Sequence, residues 1–152
     1  MRRLSGVVLA GAILMLPAFS LNAGVQAQAP QKLTMEGDLA LWSVAIRPDK
    51  AGDFEKIMAK IKDALTKSTA PEAKQQLAGW RVVKMSKPMP DGNLIYTHVI
   101  TPVAGADYNI LQVLYATFTD PAEQKELYEM YRGAFAANLG ISSGAVAVDL
   151  SK

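Results

Sequence analysis

The chain has 152 residues, with 16 lysines and arginines, 14 aspartates and glutamates, one histidine and no cysteine. This length suits a single domain with a real core, and a net charge of +2 gives no basis for nucleic-acid binding. The absence of cysteine excludes disulfides, thiolate catalysis, cysteine-ligated zinc and iron–sulfur clusters.

The first residues have the pattern of a cleaved export signal. Arg2 and Arg3 precede the apolar run of residues 7–19, and small residues follow at cleavage spacing, ending at Ala27 or at Ala29. The run is shorter than the roughly 20 residues that span a bilayer. We therefore predict a signal peptide over residues 1–27, a periplasmic or secreted protein, and no membrane span after cleavage. The sequence leaves the Sec and twin-arginine routes open.

The next residues predict a linker and then a buried strand. Residues 28–38 are polar and irregular, which predicts a flexible N-terminal linker before one domain over residues 39–152. Residues 39–47, LALWSVAIR, are largely apolar on both alternating faces, and Pro48 ends the run. This pattern is typical of a strand that is buried on both faces. Trp42 shares one face with Val44 and Ile46.

Two helices are predicted after this strand. Apolar residues with helical spacing form one stripe over residues 49–67, with Asp49 as a candidate cap. The members of the stripe are Phe54, Ile57, Met58, Ile61 and Leu65. Thr69 and Glu72 have the spacing of a capping box, which predicts a short second helix that ends at Gly79.

A hairpin is predicted next. Residues 80–87 and 93–101 alternate in polarity as strands do, and Asp91-Gly92 marks the turn between them. Tyr96 and His98 must lie on the same face of the second strand. The register is open, because a slip of one residue changes which residue of the first strand faces His98.

The remaining elements are two helices and a strand. Residues 109–118 predict a helix, and Asp120-Pro121 supplies a cap and a first-turn proline for the next one. Residues 145–150, AVAVDL, predict a final strand. The resulting order is ferredoxin-like βαββαβ, an α+β fold with a four-stranded antiparallel sheet and helices on one face. The open sheet face is apolar, and we expect a homodimer to cover it.

The stretch WSVAIRPDKAGDFEKIM resembles the first strand and helix of the dimeric α+β barrel superfamily, which includes the antibiotic-biosynthesis monooxygenase-like proteins. The similarity lies in the Ile46-Arg47-Pro48 step and in the Phe54-Glu55 pair. The chain also resembles exported bacterial proteins of this size that have no assigned activity. The resemblance implies a dimeric barrel. It implies no single activity, because members include cofactor-free oxygenases, haem-degrading enzymes, isomerases, stress proteins and non-catalytic domains.

The chain departs from the haem-degrading relatives. Those proteins carry an axial histidine on the helix after the third strand and an asparagine on the first strand. Residues 109–118 contain no histidine, and residues 39–47 contain no asparagine. We therefore predict no cofactor. One histidine without cysteines also provides too few ligands for a mononuclear transition-metal site, so we predict no metal.

The candidate site residues are few. An imidazole moves protons near neutral pH, which makes His98 a candidate catalytic acid or base together with its neighbour Tyr96. The alternative is a structural histidine within a strand. The candidate ligand-binding residues are aromatic or charged: Trp42, Trp80, Arg81 and Asp149.

Three functional hypotheses follow. The first, which we favour, is a non-catalytic or ligand-binding dimeric barrel that accepts a small apolar or aromatic molecule. The second is a cofactor-independent monooxygenase or isomerase that acts on an aromatic or quinone-like compound. The third is an accessory module that binds another protein. A cavity beside His98 favours the second, whereas a His98 covered by side chains favours the first or the third.

Overall fold

The computed structural model describes residues 31–150. The predicted signal peptide and residues 28–30 of the predicted linker lie outside this range. The helices are α1 Ala51–Lys67, α2 Ala73–Gly79, α3 Ile110–Thr117 and α4 Pro121–Ala134, with a 3₁₀ turn over Pro48–Lys50 before α1. The strands are β1 Leu39–Ile46, β2 Trp80–Lys84, β3 Leu94–Ile100 and β4 Phe135–Gly144.

The four strands form one antiparallel sheet in the order β2-β3-β1-β4. The predicted α+β class is confirmed, and this sheet with its four helices is compatible with a ferredoxin-like arrangement. The register that the sequence left open places Val82 opposite His98 and Lys84 opposite Tyr96. On β1, Trp42 lies directly opposite His98.

The predicted caps of the first two helices are wrong. Pro48–Lys50 forms the 3₁₀ turn, so Asp49 lies inside that turn and α1 begins after Lys50 without a side-chain cap. The main-chain bond from Ala73 N to Ala70 O closes a turn that delays α2 until Ala73. Cap prediction is confirmed at α4, where the Asp120 side chain accepts from Glu123 N at 2.9 Å and a proline occupies the first turn.

The predicted final strand over residues 145–150 is also wrong. The fourth strand is β4, which starts where α4 ends and carries little strand-type alternation. Arg47 N donates to Ala134 O at 3.0 Å, and this bond brings the end of α4 next to β1. Pairing with β1 therefore begins at once with Phe135, because tertiary contacts override the weak local preference. Residues 145–150 follow the sheet, with Val146, Val148 and Leu150 exposed.

The two faces of the sheet differ in burial. One face packs against the helices and forms the core together with α1, α3 and α4. Its fully or nearly buried strand residues are Ala40, Trp42, Val44, Ile46, Tyr96, His98 and Ile100. None of the helices within residues 31–150 covers the opposite face, where Leu39 and Leu41 are each 40% exposed. We call this second surface the open face.

Residues 31–38, the described part of the predicted linker, lie along the domain without regular structure. Tyr108 N donates to Leu33 O at 2.8 Å, and Asp38 N donates to Gly144 O at 2.9 Å. Gly37 has a φ of +80°, and a Cβ there would stand 2.6 Å from Gly144 O. Glycine is thus required where this segment passes the end of β4. Within residues 31–150, no helix has both the length and the apolar character needed to cross a membrane.

Candidate functional site

His98 lies at the centre of the core and is surrounded by aromatic rings. Its exposed fraction is 0%. The Trp42 ring stacks on the imidazole with a centroid separation of 4.6 Å and an angle of 20°. Phe54 approaches it in a T-shaped arrangement at 6.1 Å, and Trp80 lies at 5.8 Å. The space around His98 is therefore filled by side chains.

A single hydrogen bond determines which nitrogen of His98 carries the proton. Trp80 Nε1 can only donate, and it donates to His98 Nδ1 at 3.0 Å. The neutral imidazole must then carry its proton on Nε2. Among residues 31–150, Nε2 is the buried side-chain nitrogen or oxygen without a hydrogen-bond partner. Burial lowers the pKa of His98 from 6.5 to about 4, so the ring stays neutral at pH 7.

Both tryptophans of the predicted site pack against other side chains of the core. Trp42 Nε1 donates to Asn138 Oδ1 at 3.1 Å, and the same oxygen accepts from Gly140 N at 3.0 Å. The indole thereby holds an irregular part of β4, where its register against β1 shifts. The Trp80 ring packs against buried Tyr108 at 5.3 Å. Their contacts make the tryptophans parts of the core around His98.

Tyr96, two residues before His98, belongs to a different cluster. Its hydroxyl donates to Glu55 Oε1 at 2.6 Å. Lys84 Nζ lies 3.8 Å from the same carboxylate oxygen and 5.6 Å from the centre of the Tyr96 ring. Burial, the hydrogen bond to Glu55 and the nearby negative charge all raise the pKa of Tyr96. The phenol therefore remains protonated and acts as a donor that orients the carboxylate.

This cluster lines a pocket of about 250 Å³ that we call the Glu55 pocket. Its lining residues are Phe54, Glu55, Met58, Val82, Lys84 and Tyr96. Most of the wall is apolar, and the carboxylate and the ammonium group supply one polar end. His98 is not part of the lining. Phe54 contacts both the Tyr96 ring, at 4.8 Å, and the His98 ring.

The remaining predicted residues lie elsewhere. Arg81 is exposed, and the alternation of β2 places it on the open face, opposite to His98. Asp149 is exposed in the segment after β4. The structure brings Trp42, Trp80 and His98 together, with Tyr96 in the neighbouring pocket. It does not bring Arg81 to them.

Sequence reasoning missed Glu55 and Lys84 as site residues. Glu55 was visible only as the acidic member of the Phe54-Glu55 pair, and Lys84 only as a residue of the first predicted hairpin strand, residues 80–87. The pairing of Lys84 with Tyr96 depends on a register that the sequence left open. The position of Glu55 depends on how α1 crosses the sheet, which no local pattern encodes.

A larger groove of about 680 Å³ lies between α1 and α4 and contains none of the predicted site residues. Its rim is charged on both sides, and Lys60 Nζ and Glu123 Oε1 pair across it at 2.9 Å. Within residues 31–150, no group of three or more histidine, aspartate or glutamate side chains is placed to hold a metal ion.

The chain was also compared with known proteins. No family model, curated protein or solved structure matches it.

Proposed function

We propose that the chain is an exported, non-catalytic protein that forms a homodimeric barrel and binds a small apolar or aromatic molecule in the Glu55 pocket. The proposal that the protein is non-catalytic rests on the enclosure of His98 by Trp42, Phe54 and Trp80. A general acid or base must reach the proton that it transfers. An imidazole with no exposed surface and one nitrogen already bonded to Trp80 does not meet this condition.

The Glu55 pocket supports the binding part of the proposal. Small-molecule sites combine apolar walls with a few fixed polar groups. Phe54, Met58 and Val82 provide such walls, and the short bond from Tyr96 holds the carboxylate in one orientation. Fixing the polar group in advance reduces the entropy that a ligand must overcome.

A Val82→Trp substitution tests this binding. We expect wild-type protein to bind toluene saturably in an NMR titration, with shifts around the pocket. The larger side chain should fill the pocket and weaken binding by about tenfold or more, equivalent to roughly 1.4 kcal/mol. Val148→Trp is the matched control, since Val148 is 73% exposed in the segment after β4 and does not line the pocket. Equal binding by both variants would contradict the proposed location.

The open face supports the homodimer. Of the residues in the four strands, only Arg81 and Lys84 are charged, and Lys84 lies on the helix-covered side. Arg81 belongs to edge strand β2, so it stays at the rim. The middle of the face carries Leu41 and Val99, with a 2.9 Å contact between the Ser43 and Thr97 hydroxyls. A largely uncharged face can pair with a second copy of itself without like-charge repulsion.

A Leu41→Glu substitution tests the homodimer. It places a charge in the middle of the open face, and we expect the mass measured by light scattering to fall from that of two chains to that of one. Tyr128→Glu is the control, because Tyr128 on α4 is 39% exposed and Leu41 is 40% exposed. A monomeric wild-type protein would contradict self-association and favour an accessory role, with the open face available to another protein.

The Tyr96–Glu55 pair favours a second candidate, a cofactor-independent isomerase or monooxygenase that acts on an aromatic or quinone-like compound. A carboxylate beside a protonated phenol can accept a proton while the phenol donates a hydrogen bond. Glu55, in place of His98, would then be the base. Turnover of such a compound by wild-type protein, with none by Glu55→Gln, would establish this candidate and overturn the non-catalytic proposal.

A further inference from the structure

We propose that the polar end of the ligand in the Glu55 pocket is an organic ammonium group, and that the Lys84 side chain competes with it for the same carboxylate. This inference rests on the proposed function, because it concerns the ligand of the same pocket. Three features carry it: an available carboxylate oxygen, an aromatic ring beside it, and a weakly held lysine.

One oxygen of the Glu55 carboxylate can accept a hydrogen bond from a ligand. Glu55 Oε1 accepts the Tyr96 hydroxyl at 2.6 Å and is also the oxygen nearest to Lys84. Within residues 31–150, Glu55 Oε2 accepts no hydrogen bond. Tyr96 thereby fixes the group while leaving an acceptor for an N–H donor of a ligand. Charge-assisted hydrogen bonds to carboxylates are among the strong ones.

The Tyr96 ring provides a second site of attraction for a cation. Lys84 Nζ lies 5.6 Å from the ring centre, within the range of cation–π contacts. A carboxylate and an aromatic face next to each other form the combination that recognises ammonium groups. Phe54, Met58 and Val82 then offer apolar surface to a short hydrocarbon tail.

Lys84 is held too weakly to exclude a ligand. Its Nζ lies 3.8 Å from Glu55 Oε1, which is an ion-pair separation and longer than a hydrogen bond. The two side chains are 49% and 56% exposed, so water screens their attraction. A ligand ammonium group that also buries an apolar tail can therefore displace the lysine, which swings into solvent on its flexible stem.

Benzylammonium and the neutral isostere benzyl alcohol are the probes for this inference. We expect wild-type protein to bind benzylammonium about tenfold more tightly than benzyl alcohol, by NMR titration at low salt. Lys84→Met should tighten benzylammonium binding by about fivefold, since it removes the competitor, and should change benzyl alcohol binding by less than about twofold. Glu55→Gln should remove the preference for the cation.

Lys87→Met is the matched control, because it removes the same charge from an exposed position outside the pocket. It should leave both affinities unchanged, so an equal gain in Lys87→Met and Lys84→Met would overturn the competition. If benzyl alcohol or toluene binds as tightly as benzylammonium, the ammonium inference is wrong and the proposed binding function stands. If no probe binds, both are wrong.

Discussion

Lowering the pH from 7 to 4 is expected to reduce the unfolding free energy of the wild-type protein by about 3 kcal/mol more than that of a His98→Leu variant. The pKa of His98 is about 4 in the folded protein and 6.5 in the unfolded chain. Above pH 6.5 the ring is neutral in both states. Between pH 6.5 and 4 the unfolded chain binds a proton that the folded protein does not, so stability falls as the pH falls.

The structure explains why the folded protein resists protonation. Protonated imidazole carries a proton on each nitrogen, so Nδ1 would face the Trp80 Nε1–H group donor to donor. The rings of Trp42, Phe54 and Trp80 that contact His98 carry no compensating negative charge. Acid should therefore break the Trp80–His98 bond first, and the bond is one of the links between β2 and β3.

Urea denaturation at a series of pH values measures the unfolding free energy of wild type and of His98→Leu. The difference between the two proteins at each pH isolates the effect of His98, because the groups common to both titrate in the same way. An NMR titration of the imidazole provides an independent reading, and His98 should remain neutral down to about pH 4. Equal pH slopes in wild type and His98→Leu, or protonation near pH 6.5 in the folded protein, would contradict the assigned environment.

Replacing Trp42 by alanine is expected to lower the unfolding free energy by about 3–5 kcal/mol. The substitution removes a ring that is 6% exposed and stacks on His98, and it leaves a cavity that the surrounding strands cannot close. It also removes the Nε1 donor that binds Asn138, so the irregular pairing of β4 loses a side-chain support.

Two further variants separate these contributions. Trp42→Phe keeps an aromatic ring on His98 and loses the hydrogen bond, so we expect a loss of about 1–2 kcal/mol. Asn138→Ala removes the bond from the other side and should cost a similar amount, because Gly140 N also loses its acceptor. Chemical denaturation measures all three. A Trp42→Ala protein that is no less stable than Trp42→Phe would show that the stack on His98 contributes nothing.

The fold could be predicted where local patterns and tertiary contacts agree. The alternation of side chains along a strand placed Tyr96 and His98 on one face of β3. The helical spacing of apolar residues identified the buried stripe of α1. The fourth strand could not be predicted, because residues 135–144 contain few residues that favour strands. Residues 145–150 match the strand pattern better, yet within residues 31–150 they pair with no strand.

The candidate site could be predicted only in part, because its geometry depends on the register of the sheet. His98 was identified by composition, but the donor that sets its tautomer is Trp80, a diagonal neighbour on β2. A slip of one residue in the hairpin would point Trp80 toward the open face. The Glu55 pocket depends in addition on how α1 packs across β3, so its carboxylate has no signature within the strand.

The central position of β1 has a consequence for how the chain folds. β1 is synthesised before the other strands, yet it is flanked on both sides only when β3 and β4 have been made. Asn138, which Trp42 bonds, lies 96 residues further along the chain. Contacts between such distant residues slow folding, because a long loop must close before they form. The sheet is therefore completed only after β4, the last of its four strands, has been synthesised.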